Sequence, residues 1–247
     1  MNVYGLIGYP LGHSFSKQYF TDKFLREGIT ECEYELFPIE SIHQFPALIS
    51  QQPDLKGLNV TIPYKEQVLQ FVTHLSAEVK AIGAANCIKI KGSSLTAYNT
   101  DIIGFEQSFC KLLQPYHKKA LILGTGGSSK AVQYILKKLG IELLVVSRTE
   151  NLQAGYITYG MINEALMSEY TVIINCSPAG MSPNDHTFPL IPYQFITTQH
   201  YLYDLVYKPA KTFFLQKAEA KGALIQNGEE MLTLQAEAAW KIWHSHQ

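Results

Sequence analysis

The stretch KALILGTGGSSKAVQYILKKLGIELLVVS, residues 119–147, decides the fold of this chain. It opens with an apolar run of strand length, continues with apolar residues at helical spacing, and closes with a second apolar run at 142–147. A strand, a helix and a second strand in this order predict a parallel βαβ unit. A glycine-rich turn at 124–127 joins the first strand to the helix.

That turn reads Gly124-Thr125-Gly126-Gly127-Ser128-Ser129. Glycines at the start of a helix let the backbone approach a pyrophosphate, which the positive end of the helix dipole favours. Ser129 stands where the G-x-G-x-x-G pattern has its third glycine, so the match is to a variant of that pattern. A tight turn without any ligand can contain the same residues, but the complete strand–helix–strand context favours dinucleotide binding.

The second strand of the unit ends in Ser147-Arg148-Thr149, followed by Glu150. An NAD site usually has a carboxylate here, which accepts the ribose hydroxyls and repels a 2′-phosphate. A hydroxyl and a guanidinium favour NADP instead. A solvated arginine at a strand end is the alternative, and Glu150 weakens the preference for NADP.

The rest of the chain also alternates strands and helices, which is typical of α/β proteins with parallel sheets. The predicted elements before residue 101 are strands at 3–8, 33–38 and 57–62, helices at 17–28 and 75–82, and a hairpin of 85–91 with 95–99. Those after it, besides the βαβ unit, are helices at 101–113 and 229–244 and strands at 171–176, 201–205 and 223–226.

These elements predict an α/β protein of two lobes with a cleft between them. The first is an N-terminal α/β substrate domain with a mainly parallel sheet, residues 1–100 plus 229–247. The second is a C-terminal Rossmann-like NADP-binding domain, residues 101–228. The second lobe begins near Asp101.

Composition narrows the class of protein. The chain has 247 residues, a formal net charge of -1 and 47% hydrophobic residues, so it lacks the basic excess of a nucleic-acid binder and is too apolar for disorder. Its apolar runs are too short to span a membrane. Four distant cysteines and unpatterned histidines predict neither a disulfide scaffold nor a metal site. We expect a cytoplasmic protein with a small-molecule partner, and neither nucleic acid nor membrane.

Two serines follow the first predicted strand in the turn Gly8-Tyr9-Pro10-Leu11-Gly12-His13-Ser14-Phe15-Ser16. Hydroxyls spaced by two residues after such a turn can point at one carboxylate. Capping of the following helix explains them equally well, and one serine can do each job.

Lys65 and Asp101 are the charged residues with the clearest chemical potential. Lys65 ends the segment NVTIPYK, where Pro63 stops the strand, and open α/β sheets bind ligands at the carboxyl ends of strands. An amine there can give or take a proton, although most lysines are simply solvated. Asp101 begins a predicted helix, so it is either a partner for that ammonium or a capping carboxylate.

Nine short segments then identify a family resemblance. In chain order they are GYPLGHSFS, NVTIPYK, IGAANC, YNTDIIGF, GTGGSSKA, SRT, INCSPAGM, DLVYKPAKTFFL and NGEEMLTLQA. Together they span nearly the whole chain and resemble the shikimate dehydrogenase family. The resemblance implies a cytoplasmic oxidoreductase, a monomer or homodimer without a metal, that uses NADP(H) to interconvert 3-dehydroshikimate and shikimate in chorismate and aromatic amino-acid biosynthesis.

The resemblance also implies site residues. Lys65 would be the general acid/base, supported by Asp101. The residues that it places at the substrate are Ser14, Ser16, Thr61, Asn86, Asp101, Tyr207 and Gln235. Those that it places at the cofactor are Gly124, Thr125, Gly126, Gly127, Ser128, Arg148, Thr149, Leu205 and Gly228.

Some features depart from the family pattern. Ser147 replaces the usual asparagine before the arginine, and no second basic residue follows within three positions. The stretch between Thr149 and Thr171 is short, so we expect a curtailed helix after the second strand. Two alternatives stay open: a quinate/shikimate dehydrogenase that uses NAD, and a catalytically silent sensor that binds shikimate.

Overall fold

The computed structural model describes residues 1–12, 15–150 and 154–245, which form two compact α/β units. The first unit comprises residues 1–101 and the chain from Gln235 onward, and the second comprises residues 102–234. The last helix begins at Glu229, as the sequence predicts. Its first turns nevertheless belong to the second unit, so the chain returns to the first unit at Gln235 rather than at residue 229.

The first unit is built on a six-stranded sheet with the order β2-β1-β3-β5-β6-β4. Its elements are β1 (Asn2–Gly8), α1 (Phe15–Glu27), β2 (Cys32–Pro38), α2 (Phe45–Gln51), β3 (Leu55–Val60), β4 (His74–Leu75), α3 (Ala77–Ile82), β5 (Cys87–Lys91) and β6 (Ser94–Tyr98). β1 pairs in parallel with β2 and β3, and β4 pairs in parallel with β6. The two pairs made by β5 are antiparallel. Three of the five strand pairs among the described residues are thus parallel, which confirms the predicted mainly parallel sheet.

Alternation along the strands gives this sheet two apolar faces. Ile7 and Leu58 lie in one buried cluster, whereas Tyr4 lies in a second cluster on the other face. The second face is covered by α1 and by the last helix, and the indole N–H of Trp243 donates to the Ile88 carbonyl at 3.0 Å. Each such buried side chain contributes about 1.5–3 kcal/mol. The C-terminal residues are therefore an integral part of the first unit.

The second unit is built on an all-parallel sheet with the order β12-β11-β10-β7-β8-β9. Its elements are α4 (Asp101–Phe109), β7 (Lys119–Leu123), α5 (Gly127–Lys138), β8 (Glu142–Ser147), β9 (Tyr156–Thr158), α6 (Glu164–Glu169), β10 (Val172–Asn175), β11 (Tyr201–Asp204), α7 (Phe213–Glu219), β12 (Leu224–Gln226) and the start of α8 (Glu229–His244). This order is that of the Rossmann fold, with the topological switch between β7 and β10. The predicted Rossmann-like fold is confirmed.

Several boundaries differ from the predicted ones. β3 ends at Val60 rather than at residue 62, because the chain turns at Thr61, whose carbonyl accepts from the Tyr64 N–H at 2.9 Å. α4 ends at Phe109 rather than at residue 113 and passes into a turn. The described residues between β8 and β9 contain no helix, which agrees with the expected shortening after the second strand.

Three helices were not predicted, for two physical reasons. α2 has a proline in its first turn, where proline is tolerated, although the same residue signals a break in a sequence. α6 and α7 are too short to establish a helical period, and side-chain caps from Asn163 and Thr212 define where they begin. The described residues include no helix long and apolar enough to cross a membrane.

Two buried histidines lie just before strands of the second sheet. His117 and His200 are each only 2% exposed. In each ring, Nδ1 accepts from a backbone N–H and Nε2 faces a backbone carbonyl, at 3.0 to 3.1 Å. For His117 the N–H belongs to Gln114 and the carbonyl to Gln199. For His200 the N–H belongs to Thr197 and the carbonyl to Met167. Because a backbone N–H can only donate, this pattern requires neutral rings protonated at Nε2. Burial lowers the pKa of both histidines.

We predict that these histidines make the second unit less stable as the pH falls below about 6.5, because the unfolded chain then takes up protons that the folded chain does not. Each contributes up to about 1.4 kcal/mol per pH unit. His200→Gln should flatten the dependence of the unfolding free energy on pH, measured by urea denaturation between about pH 5 and 8. His186→Gln, at an exposed histidine of the same unit, is the control. Equal slopes for both variants would contradict the prediction.

Candidate active site

A buried ion pair joins Lys65 and Asp101 in the first unit. Lys65 lies in the turn after β3, and Asp101 is the first residue of α4. The Lys65 Nζ is 2.6 Å from the Asp101 Oδ2, and the two side chains are 13% and 7% exposed. At this degree of burial each charge needs the other, since removing one partner leaves an uncompensated charge. The pair therefore holds an ammonium group in place near the carboxyl end of β3.

The second carboxylate oxygen of Asp101 is held by an amide cluster. The Asn86 Nδ2 donates to the Asp101 Oδ1 at 2.8 Å and to the Thr100 Oγ1 at 2.9 Å. It also lies 3.3 Å from the Gln235 Oε1, which α8 supplies. The Thr100 N–H donates to the Asn86 Oδ1 at 2.6 Å. Both oxygens of Asp101 are thus engaged, so its orientation toward Lys65 is fixed.

Of the residues predicted for catalysis and substrate binding, the structure brings Lys65, Asn86, Asp101 and Gln235 into this one cluster. Thr61 is half-buried just beyond β3 in the same unit. Tyr207 belongs to the second unit, where burial raises its pKa. Ser14, like His13 beside it, lies outside the described residues.

Ser16 connects to the cluster through two residues that the sequence did not single out. Ser16 is the second residue of α1 and forms a hydrogen bond with the Tyr34 hydroxyl. Burial raises the pKa of Tyr34, and the bond with Ser16 offsets part of that increase. Tyr34 donates to the Asn59 Oδ1 at 2.8 Å, and the Asn59 Nδ2 donates to the Asn86 carbonyl at 3.3 Å. The available signal was Asn59 itself, a polar residue inside an apolar strand.

The glycine turn of the second unit lies at the topological switch point. Gly124 has a φ of +116°, and a Cβ there would be 3.2 Å from the Cys176 carbonyl carbon and from the Ser177 nitrogen. Gly126 caps α5 in an extended conformation, and a Cβ there would meet nothing within 4 Å. Thr125 and Gly126 are exposed. The turn is therefore tight against β10 on one side and open on the other, which fits a phosphate group approaching the start of α5.

Arg148 and Thr149 follow β8 and are exposed, whereas Ser147 is partly buried. The Ser147 hydroxyl accepts from the Thr149 N–H at 3.2 Å and so shapes the turn. Arg148 lies close enough to Tyr159 for its charge to lower the pKa of that phenol, which burial raises more strongly. A cation is thus presented at the end of the second Rossmann strand, where an adenosine phosphate would lie.

Leu205 and Gly228, both predicted beside the nicotinamide, are in contact. The Leu205 N–H donates to the Asn175 carbonyl at 3.0 Å, and the Gly228 N–H donates to the Val206 carbonyl at 3.3 Å. A Cβ at Gly228 would collide with the Leu205 carbonyl oxygen, so this approach requires glycine. The residues of the second unit fit a dinucleotide at three places: the glycine turn, the end of β8, and the contact of Leu205 with Gly228.

A lysine–carboxylate pair in one α/β unit and a Rossmann unit with these features define the class of nicotinamide-dependent oxidoreductases. A family model described as the shikimate dehydrogenase substrate binding domain matches residues 6–88. A shikimate dehydrogenase (NADP(+)) of Caldicellulosiruptor saccharolyticus is 36% identical over 252 residues, which cover 96% of this chain and 90% of the relative. That of Carboxydothermus hydrogenoformans is 34% identical, with coverages of 97% and 90%.

Solved structures agree with these relatives. The shikimate dehydrogenase of Aquifex aeolicus is 31% identical, with a TM-score of 0.86 and coverages of 98% of this chain and 92% of that one. The Thermus thermophilus enzyme in complex with NADP(H) and shikimate is 28% identical, with a TM-score of 0.87 and coverages of 99% and 94%. The chain belongs to the shikimate dehydrogenase family.

The two glycines of the turn should respond differently to substitution. Gly124→Ala places a Cβ 3.2 Å from the backbone of Cys176 and Ser177 and requires alanine to adopt a φ of +116°, so we predict a loss of about 1–3 kcal/mol of unfolding free energy. Gly126→Ala should change it by less than about 0.5 kcal/mol, because its Cβ enters open space. Urea denaturation of the two variants beside the unmodified protein tests this; comparable losses would show that the turn is not strained at Gly124.

Proposed function

We propose that the chain catalyses the reversible NADP-linked reduction of 3-dehydroshikimate to shikimate, a step of chorismate and aromatic amino-acid biosynthesis. The observation that carries the proposal is the ion pair of Lys65 and Asp101, which the Asn86 amide holds in place. It occurs in a chain that belongs to the shikimate dehydrogenase family. The first unit is then the substrate-binding and catalytic domain, and the second is the NADP-binding domain. The protein acts in the cytoplasm as a monomer or homodimer.

Lys65 performs the proton transfer. When bound, NADPH supplies the hydride that reduces the C3 carbonyl of the substrate. The Lys65 ammonium stabilises the negative charge that develops on the carbonyl oxygen and donates a proton from Nζ to it. In the reverse direction the neutral amine takes the hydroxyl proton. Asp101 holds the amine in position through the 2.6 Å contact of its Oδ2 with Nζ.

The remaining polar residues recognise the substrate. Ser14 and Ser16 bind its carboxylate, with Tyr207 nearby. Thr61, Asn86, Asp101 and Gln235 bind the ring hydroxyls. An analogue that lacks one hydroxyl would leave a buried amide or carboxylate unpaired, so this cluster favours polyhydroxylated acids strongly.

The geometry of the second unit supports the cofactor residues that the family resemblance implies. Gly124, Thr125, Gly126, Gly127 and Ser128 form the pyrophosphate turn. Arg148 and Thr149 bind the 2′-phosphate, while Leu205 and Gly228 flank the nicotinamide. The exposed guanidinium of Arg148 supports NADP, because it can pair with the 2′-phosphate. Ser147 before it supports NADP as well, because it provides no carboxylate that would repel the phosphate.

A spectrophotometric assay tests the function as a whole. Nicotinamide absorbance is followed with shikimate or quinate, each paired with NADP or NAD. The proposal requires shikimate with NADP to give the highest kcat/KM. Preference for quinate with NAD would make the chain a quinate/shikimate dehydrogenase, and binding of shikimate without turnover in any pair would make it a sensor.

Lys65→Ala should lower kcat by about 100-fold to 10,000-fold, because the general acid is lost. The KM for shikimate should change by less than about tenfold, since the amide cluster remains. Steady-state kinetics measure both constants, and Lys80→Ala, at an exposed lysine of the same unit, is the control. Equal effects on kcat and KM would make Lys65 a binding residue.

Arg148→Ala should raise the KM for NADPH by about 10-fold to 100-fold and change the KM for NADH much less, because only NADPH carries the phosphate. Arg26→Ala removes an exposed arginine of the first unit and is the matched control. Kinetics with each reduced cofactor provide the comparison. If both KM values rise alike, Arg148 does not bind the 2′-phosphate.

A further inference from the structure

Asp204 is a buried carboxylate to which the proposed reaction assigns no role. It is the last residue of β11 and has no exposed surface. Its Oδ1 accepts from the Asn175 Nδ2 at 2.9 Å and from the Val206 N–H at 3.0 Å. Its Oδ2 accepts from the Thr212 Oγ1 at 2.6 Å. Burial of a carboxylate in this way is costly, so its presence calls for a reason.

The donors around Asp204 require its Oδ1 to be an acceptor. The Val206 N–H can only donate. The Asn175 amide cannot reverse, because its Oδ1 accepts from the Ser177 N–H at 3.0 Å and from the Ser177 hydroxyl at 2.6 Å, while its Nδ2 also donates to the Ala179 carbonyl at 3.1 Å. The Thr212 hydroxyl is the one group of the three that can turn around. The arrangement therefore accommodates an ionised carboxylate, to which all three groups donate, and protonation of Oδ2 would require Thr212 to reverse.

These hydrogen bonds tie together three segments at the carboxyl edge of the second sheet: 175–179 after β10, 204–206 after β11, and the start of α7 at Thr212. The first segment includes the backbone against which Gly124 packs, at 3.2 Å from a Cβ built there. The second includes Leu205, whose carbonyl Gly228 approaches. Asp204 thus lies behind both the pyrophosphate turn and the nicotinamide contact.

We propose that ionised Asp204 is a positioning residue for the cofactor, holding the segments 175–179 and 204–206 in the geometry that binds the dinucleotide. This rests on the cofactor site of the proposed function. Asp204 itself touches neither the cofactor nor the substrate. When Asp204 is protonated on Oδ2, the Thr212 hydroxyl must turn and accept, and the bonds to Oδ1 lose the assistance of a negative charge. The three segments are then held less firmly, so cofactor affinity falls.

The titration of Asp204 sets the pH at which this occurs. Burial raises its pKa to about 6, and the hydrogen bonds from Thr212, Val206 and Asn175 offset part of the increase. Among the described residues, two titratable groups interact with Asp204. They are Tyr193, in the 3-10 turn Tyr193–Phe195, and Tyr203, the neighbouring residue of β11. Burial raises the pKa of both phenols well above the ordinary value, so both stay neutral in this range.

Stability and cofactor binding should then depend on pH in opposite directions. Because the folded pKa of Asp204 exceeds its unfolded value of about 3.9, its contribution to stability is present below about pH 4 and is lost as the pH rises through about 6. The ionised form, which orders the cofactor segments, dominates above about pH 6. Ionised Asp204 therefore favours binding at the expense of stability.

The test is the Kd of NADP and of NAD for the full chain between about pH 5 and 8, by isothermal titration calorimetry. NAD is included because it lacks the 2′-phosphate, whose own pKa lies near 6. For the unmodified protein we expect both Kd values to rise about tenfold as the pH falls through about 6. Asp204→Asn, a neutral isostere, should bind both cofactors about tenfold more weakly at pH 8, without this dependence and without a lower melting temperature.

Thr212→Val and Thr212→Ser provide a second test that does not depend on the folding of Asp204→Asn. Valine removes the donor to Oδ2, so the midpoint of the pH dependence should move upward. Serine keeps the donor, so its midpoint should stay at that of the unmodified protein. Equal midpoints in both variants would overturn the proposal.

The outcomes separate this proposal from the proposed function. If the unmodified protein binds neither NADP nor NAD, the cofactor site is wrong, and the role of Asp204 falls with it. If the cofactors bind but neither pH nor Asp204→Asn changes their Kd, Asp204 alone is misassigned. If Asp204→Asn lowers affinity and melting temperature together and the Thr212 midpoints coincide, Asp204 is a structural residue only.

Discussion

The ion pair between Lys65 and Asp101 is the constraint on which the arrangement of the first unit depends. An ammonium and a carboxylate that are 13% and 7% exposed are tolerable only in contact with each other and with further donors. This requirement fixes where the turn after β3 and the start of α4 lie. It also explains why Asn86, Thr100 and Gln235 are buried although all three are polar. The polar cluster is thus a condition for folding as well as for chemistry.

The second unit solves a related problem at the carboxyl edge of its sheet. The turn at Gly124, the contact of Leu205 with Gly228 and the buried carboxylate of Asp204 all lie where parallel strands end. A backbone N–H group, an amide and a hydroxyl hold Asp204 in place. The guanidinium of Arg148, at the end of β8, is exposed.

The sequence predicted the parts of this fold that have local signatures. Apolar runs separated by a glycine turn predicted β7, α5 and β8, and the family segments pointed to Lys65 and Asp101. It failed where local pattern and structure diverge, as at α2, whose Pro46 stands in its first turn. The partners of Asp204 come from three separate segments, and Asn59 is distinguished only by its burial. Such contacts have no period that a sequence could display.

The position of Gln235 in the last helix determines when the amide cluster can form during synthesis. The Gln235 Oε1 lies 3.3 Å from the Asn86 Nδ2, although the two residues are 149 positions apart. A ribosome that builds the chain from its N-terminus releases Asn86 and Asp101 long before α8 emerges. The amide cluster is therefore completed only after Gln235 has been synthesised, and a nascent chain that stops before Gln235 has every charged group of the cluster but lacks one of its amides.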